Sequence, residues 1–252
     1  DLNLSNNSIG GSVSSTLGTF TDLTSLNLAL NLLTGTFPTF FDRLPLLTTL
    51  DLSDNQFQGA FPLEIQLNAT SLYNLILSNN SLTGSIPSQI AVLTNLEVLD
   101  ISSNELSGSI PSELGQIYTF FSNYDYDTGE QVDVDWTYLH TLNMSHNNFS
   151  GRIPSQVGEL TNLQVLDLSF NKLTGHIPSE LGLINATEFE WERYGTPLPV
   201  STQISLQGNS FTGTLPSQLC SWHCNGQDCL HHNKTAVCKT SFLVVDCIPI
   251  RS

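Results

Sequence analysis

Basic side chains are scarce in this chain. Seven Lys and Arg stand against 23 Asp and Glu, and only 12% of residues carry a charge. The formal net charge of −16 excludes ordinary nucleic-acid binding, which depends on cationic contacts to phosphate. It also disfavours anionic membrane surfaces. It leaves room for cationic partners or calcium, or for a role in solubility alone. No apolar run approaches the roughly 20 residues a membrane-spanning helix needs. Phosphate-binding loops, serine elbows and metalloprotease motifs are all missing, which speaks against an enzyme.

Cysteine is absent until the end, where Cys220, Cys224, Cys229, Cys238 and Cys247 cluster. Eight Asn-x-Ser/Thr sequons occur, at Asn3, Asn6, Asn68, Asn79, Asn143, Asn148, Asn185 and Asn233. The cysteine cluster and the sequons together point to a secreted or cell-surface glycoprotein.

What the chain does have is repetition. LYNLILSNNSLTGSIPSQIA, LEVLDISSNELSGSIPSELG and LQVLDLSFNKLTGHIPSELG are near copies of LxxLxLxxNxLxGxIP. The asparagine column is Asn7, Asn31, Asn55, Asn80, Asn104, Asn147, Asn171 and Asn209, with successive spacings of 24, 24, 25, 24, 43, 24 and 38. Eight units are therefore present, and two spacings are long by about 19 and about 14 residues. LxL is a period-two strand with both leucines inward. The asparagine satisfies backbone groups where the chain turns. Leu82, Leu106 and Leu173 take the next inward position. The glycine column, from Gly35 to Gly213, suits a tight or positive-φ backbone. Ile-Pro then sends the chain to the convex side, where SxLG predicts a short helical turn. No unit buries its apolar face alone, so stability requires stacking.

This wording resembles the plant-type extracellular leucine-rich repeat of receptor-kinase ectodomains, receptor-like proteins and polygalacturonase-inhibiting proteins. The resemblance covers residues 1–219, interruptions excepted. It implies a solenoid with a parallel β-sheet on the concave face and loops with short 3-10 turns on the convex face. Residues 220–252 read as a disulfide-stapled C-terminal cap of undetermined pairing. Two bridges leave one cysteine over, either buried and free or linked to another chain. His223, His231 and His232 nearby make zinc an alternative ligation. Members of this family usually carry an N-terminal capping segment, and DLNLSNN shows none. The expectation is that such residues precede Asp1, or that a partner covers Leu2, Leu4 and Ile9.

The central outward column of the concave sheet reads Asn3, Asn27, Asp51, Ile76, Asp100, Asn143, Asp167 and Ser205, a hydrated polar face. The two interruptions stand out more. They run at about 116–138 and about 183–203, both between a convex turn and the next strand, and so leave the same edge of the solenoid. YDYDTGEQVDVDW alternates on both sides of a glycine turn, which predicts a hairpin. That alternation places Tyr124, Tyr126, Val132, Val134 and Trp136 on one side and Asp125, Asp127, Asp133 and Asp135 on the other. EFEWE alternates likewise, with Phe189 and Trp191 against Glu188, Glu190 and Glu192. The bland reading is a flap packed on the solenoid with its acids in water. The functional reading is a partner site built from Tyr124, Asp125, Tyr126, Asp127, Asp133, Asp135, Trp136, Glu188, Glu190, Trp191 and Glu192, in the manner of the island insertions of related receptors. Asp125, Asp127, Asp133 and Asp135 are also a calcium candidate, weakened because the glycine of DYDTGE comes one residue early for an EF-hand. No other cofactor is called for.

The leading functional expectation is a non-catalytic module that binds a protein, peptide or glycan, with the net charge of −16 favouring a cationic partner. A structural glycoprotein of a matrix, wall or filament is the second reading, with self-assembly or a disulfide-linked neighbour. An inhibitor of a secreted wall-degrading enzyme is the third. Ice binding is the fourth: Ser12, Thr36, Ser85, Ser109 and Thr214 form a Ser/Thr column, but Ala60, Arg152 and His176 interrupt it.

Overall fold

The computed structural model describes residues 1–61, 71–124, 131–184, 202–216 and Leu219. Eight LxL segments form one parallel sheet in chain order: Leu2–Asn3, Ser25–Asn27, Thr49–Asp51, Asn74–Ile76, Val98–Asp100, Thr141–Asn143, Val165–Asp167 and Gln203–Ser205. Its register is uniform, each central leucine lying beside the next: Leu26↔Leu50, Leu50↔Leu75, Leu75↔Leu99 and Leu142↔Leu166. Those leucines are at most 1% exposed. They join one continuous core with Leu82, Leu106, Phe149 and Leu173. Each fully buried leucine contributes about 1.5–3 kcal/mol relative to exposure.

The asparagine column binds each unit to the one before it. Asn104 donates through Nδ2 to the carbonyls of Leu77 (3.0 Å), Ile101 (3.2 Å) and Ser102 (3.0 Å), while its Oδ1 accepts from the Leu82 N–H at 3.0 Å. Leu77 and Leu82 belong to the preceding unit. Asn147 repeats the pattern across the first interruption, reaching the Ile101 carbonyl at 3.0 Å and the Leu106 N–H at 3.0 Å. The interruption therefore leaves the stack of strands intact: Leu142 pairs with Leu99 as in any other step.

The chain also makes pairing that its sequence does not announce. After the asparagine turn, the xLxGx segments form two further parallel sheets on the flank of the solenoid. One comprises Gly10–Gly11, Leu32–Thr36, Gln56–Ala60 and Ser81–Thr83; the other comprises Ser107–Ser109, Asn148–Gly151, Lys172–Gly175 and Ser210–Phe211. Bonds from Glu105 N–H to the Leu82 carbonyl (2.8 Å) and from Ser107 N–H to the Gly84 carbonyl (2.7 Å) carry pairing across the gap between them. The column glycines sit here at φ between +79° and +93°, a conformation that side-chain-bearing residues avoid.

On the convex side, 3-10 turns span Ser15–Thr19, Thr39–Arg43, Ser88–Val92, Ser112–Gln116, Ser155–Glu159 and Ser179–Leu183. Proline precedes all but the first, entering with φ between −63° and −77°. The turns pack tightly: a Cβ on Gly115 would collide with the Gln156 carbonyl, and one on Gly158 with that of Glu180. Among the described residues, no helix is long and apolar enough to cross a membrane.

The first interruption is a β-hairpin, as the alternation predicts. Its strands are Thr119–Tyr124 and Gln131–Trp136. The register corrects the expected sides. Thr119 pairs with Trp136 and Phe121 with Val134, whereas Tyr124 pairs with Gln131. Tyr124 therefore falls in the row of Asp133 and Asp135, opposite to Val132, Val134 and Trp136. The first strand begins in IYTFF rather than at YDYD, and this one-residue shift of parity exchanges the rows.

Candidate functional site

The inner sheet presents the polar column expected from the sequence, and the structure shows what holds it. Asp51 Oδ1 accepts from the Ser53 N–H at 3.0 Å and from its hydroxyl at 2.6 Å. Asp100 does the same with Ser102 at 3.0 and 2.7 Å, and Asp167 takes the Ser169 N–H at 2.9 Å. Asn3, Asn27 and Asn143 close equivalent turns. Asp-x-Ser is thus first a device that ends each strand. Each Asp uses only Oδ1 in these bonds and stays half-exposed.

Charge on this face has one sign. Asp51, Asp54, Glu97, Asp100 and Asp167 lie on or beside the described strands, and no Lys or Arg stands among them. The nearest approach to a cation is His140, whose Nε2 is 3.9 Å from Glu97 Oε2 and whose Nδ1 shares a 3.1 Å hydrogen bond with the Thr141 hydroxyl.

The residue before each ladder asparagine turns out to be the most informative column. Asn6, Leu30, Asp54, Asn79, Ser103, His146 and Phe170 all have φ between +51° and +56°, and Gly208 has +72°. Asn, Asp, Ser and Gly suit that left-handed backbone; Leu and Phe do not. Phe170 is nevertheless there, 48% exposed, and its ring stacks on His146 with centroids 4.4 Å apart and planes 18° apart. On its other side lies Gly208, where an added Cβ would come within 2.7 Å of Phe170 Cδ1. An imidazole, a phenyl ring and a bare glycine backbone thus form a platform across three consecutive units. Holding an aromatic residue at positive φ costs about 1–2 kcal/mol. The stack returns about 0.5–1.5 kcal/mol of that. Neither His146 nor Phe170 is among the candidate residues that the sequence alone singles out. The signal was present: Leu30 and Phe170 are the apolar exceptions in a column of left-handed formers.

The sequons divide by exposure. Asn3, Asn6 and Asn79 are exposed, while Asn143 and Asn148 are half-buried. Asn79 also donates from Nδ2 to Asp54 Oδ1. Asn68, Asn185, Asn233 and the five cysteines lie outside the described residues, as do Asp125, Tyr126, Asp127, Glu188, Glu190, Trp191 and Glu192. Tyr124, Asp133, Asp135 and Trp136 are placed on the hairpin backbone. Among the described residues, no group of three or more His, Cys, Asp or Glu is arranged to hold a metal ion.

Comparison with known proteins gives a consistent result. Leucine-rich-repeat family models match residues 1–57 and, unit by unit, 71–93, 95–117, 138–160, 162–184 and 202–222. A search of curated proteins returns no significant match. Among solved structures, the chain is similar to the Arabidopsis receptor kinase HAESA in complex with the peptide hormone IDA and the co-receptor SERK1, at 33% identity and a TM-score of 0.70, over 87% of this chain and 31% of that one. It is similar to the plant peptide hormone receptor RGFR1 in complex with RGF2, at 28% identity and a TM-score of 0.70, over 86% and 30% of the two chains. It is also similar to a plant ice-binding protein, at 26% identity and a TM-score of 0.65, over 84% and 57%. The chain thus spans about a third of the length of the receptor ectodomains it matches. With the asparagine ladder, the stacked leucines and these matches in agreement, the chain belongs to the leucine-rich repeat family and resembles the plant receptor-kinase branch of it.

Proposed function

We propose that this protein is a non-catalytic extracellular recognition module whose inner face binds a cationic protein or peptide segment. The observation that carries the proposal is Phe170, a half-exposed aromatic ring held at φ +52° between His146 and Gly208. A residue kept in a costly conformation without burial is a functional candidate. Aromatic side chains are also the usual anchors of protein interfaces. The inner-face carboxylates, with no Lys or Arg beside them among the described residues, favour a cationic partner. Flat guanidinium groups suit both features, since Arg stacks on rings and pairs with carboxylates. The peptide-hormone complexes of the similar receptors support this class of partner. The acidic and aromatic residues of the two insertions are a second contact region for the same partner.

Selection of a displayed random-peptide library tests the proposal. Wild-type protein is expected to enrich Lys- and Arg-rich sequences, and Phe170→Asn to lose that enrichment. Acidic or purely apolar sequences enriched equally by both proteins would overturn it.

Ice binding is the second reading, favoured by the likeness to the plant ice-binding protein and by hydroxyl rows on the flank sheets. Those rows are broken by Lys172, Arg152 and His176, all exposed. An ice-recrystallisation assay at micromolar protein is expected to show no inhibition, and clear inhibition would promote this reading over the first.

A further inference from the structure

The residues that break the hydroxyl rows form the one concentration of positive charge among the described residues. Of the chain's seven Lys and Arg, only Arg43, Arg152 and Lys172 are described, and two of those three share one flank. We propose that this flank is a binding site for an acidic polysaccharide, with Arg152, Lys172 and His176 receiving its anionic groups.

The sheet puts the three together. Strand Asn148–Gly151 pairs in parallel with Lys172–Gly175, Ser150 beside Lys172 and Gly151 beside Leu173. Arg152 follows the first strand directly. Lys172 and Thr174 are spaced by two and so share the outward side of the second, and His176 follows that strand directly. All four are exposed.

Two of the side chains are seated rather than loose. Arg152 lies across Gly175, where an added Cβ would come within 2.8 Å of Cγ and 3.1 Å of Nε. The His176 ring lies across Gly213 in the same way, 2.7 Å from such a Cβ at Nε2. Part of the ordering entropy of binding is thereby removed in advance. Among the described residues, neither Arg152 nor Lys172 has an ion-pair or side-chain hydrogen-bond partner.

The surroundings identify the partner's chemistry. Ser150, Thr174, Thr212 and Thr214 flank the cations, all exposed. Within the strands Asn148–Gly151, Lys172–Gly175 and Ser210–Phe211 no apolar side chain is exposed, and protein interfaces depend on such anchors. A sugar chain needs none: its hydroxyls bond to Ser and Thr, and its carboxylate or sulfate groups fit a guanidinium in a bidentate fork. The net charge of −16 does not forbid this, because fields are screened beyond about 8 Å at physiological salt. The flank lies past the asparagine turn from the inner sheet, so this site is independent of the peptide-binding reading.

Fluorescence anisotropy at about 0.15 M salt decides the matter, using labelled alginate oligosaccharides, neutral dextran oligosaccharides and polyglutamate as probes. Wild-type protein is expected to bind alginate, to ignore dextran and to bind polyglutamate at least tenfold more weakly. Arg152→Ala with Lys172→Ala is expected to weaken alginate binding at least tenfold, and Arg152→Glu to remove it. Phe170→Asn is expected to leave it unchanged. No alginate binding by wild type, equal binding by the Arg152 variants, or polyglutamate bound as tightly as alginate would each overturn the site.

Discussion

At the scale of single residues, the asparagine column and the column before it do opposite work. Each interior ladder asparagine satisfies three carbonyls and one N–H; Asn147 does so while only 8% exposed. Asn147→Ala is expected to destabilise the array by about 3 kcal/mol, since it leaves several buried backbone groups unpaired. Asn7 is exposed and reaches only the carbonyls of Leu4 and Ser5, so Asn7→Ala is expected to cost less than about 1 kcal/mol. Urea midpoints of the two variants check the contrast. The preceding column carries strain instead. Leu30 has φ +55° and is 51% exposed, with no stacking partner to lose. Leu30→Asn is therefore expected to raise stability by about 1 kcal/mol, and a lower urea midpoint would count against the strain argument.

At the scale of elements, the hairpin is an addition to the solenoid rather than a part of it. The inner strands on either side pair as if it were missing, Val98–Asp100 directly with Thr141–Asn143. Deleting 119–137 restores the ordinary spacing and is expected to preserve the far-ultraviolet dichroism spectrum and cooperative unfolding. Collapse of the fold would show that the hairpin holds the sheet together. Much of this level was legible in the sequence: the LxL strands, the inward leucines, the convex turns and the hairpin itself. The hairpin's register was not, because YDYD and IYTFFSNY both alternate and a period of two cannot reveal a shift by one. The flank sheets escaped because an xLxGx segment of two to five paired residues, with glycine at positive φ, reads as a turn. The platform escaped for a related reason. Asn, Asp and Ser before the ladder asparagine look like turn wording, and that familiarity concealed the two positions where the wording fails, Leu30 and Phe170.

At the scale of the whole molecule, the described residues separate their charges by face. Among them the inner sheet carries carboxylates and histidine, while Arg152, Lys172 and His176 gather on the flank. Association with a basic peptide is expected to weaken with salt, since the attraction is long-range and partly exposed. The most direct test is calorimetric titration of one Arg-rich peptide into wild-type protein, Phe170→Asn, and Asp100→Asn with Asp167→Asn. The account predicts at least tenfold weaker binding for each altered protein, with the carboxylate variant also losing most of its salt dependence. Unchanged affinity in Phe170→Asn, with the peptide still bound by wild type, would contradict the claim that the inner face and its aromatic platform are where this protein meets its partner.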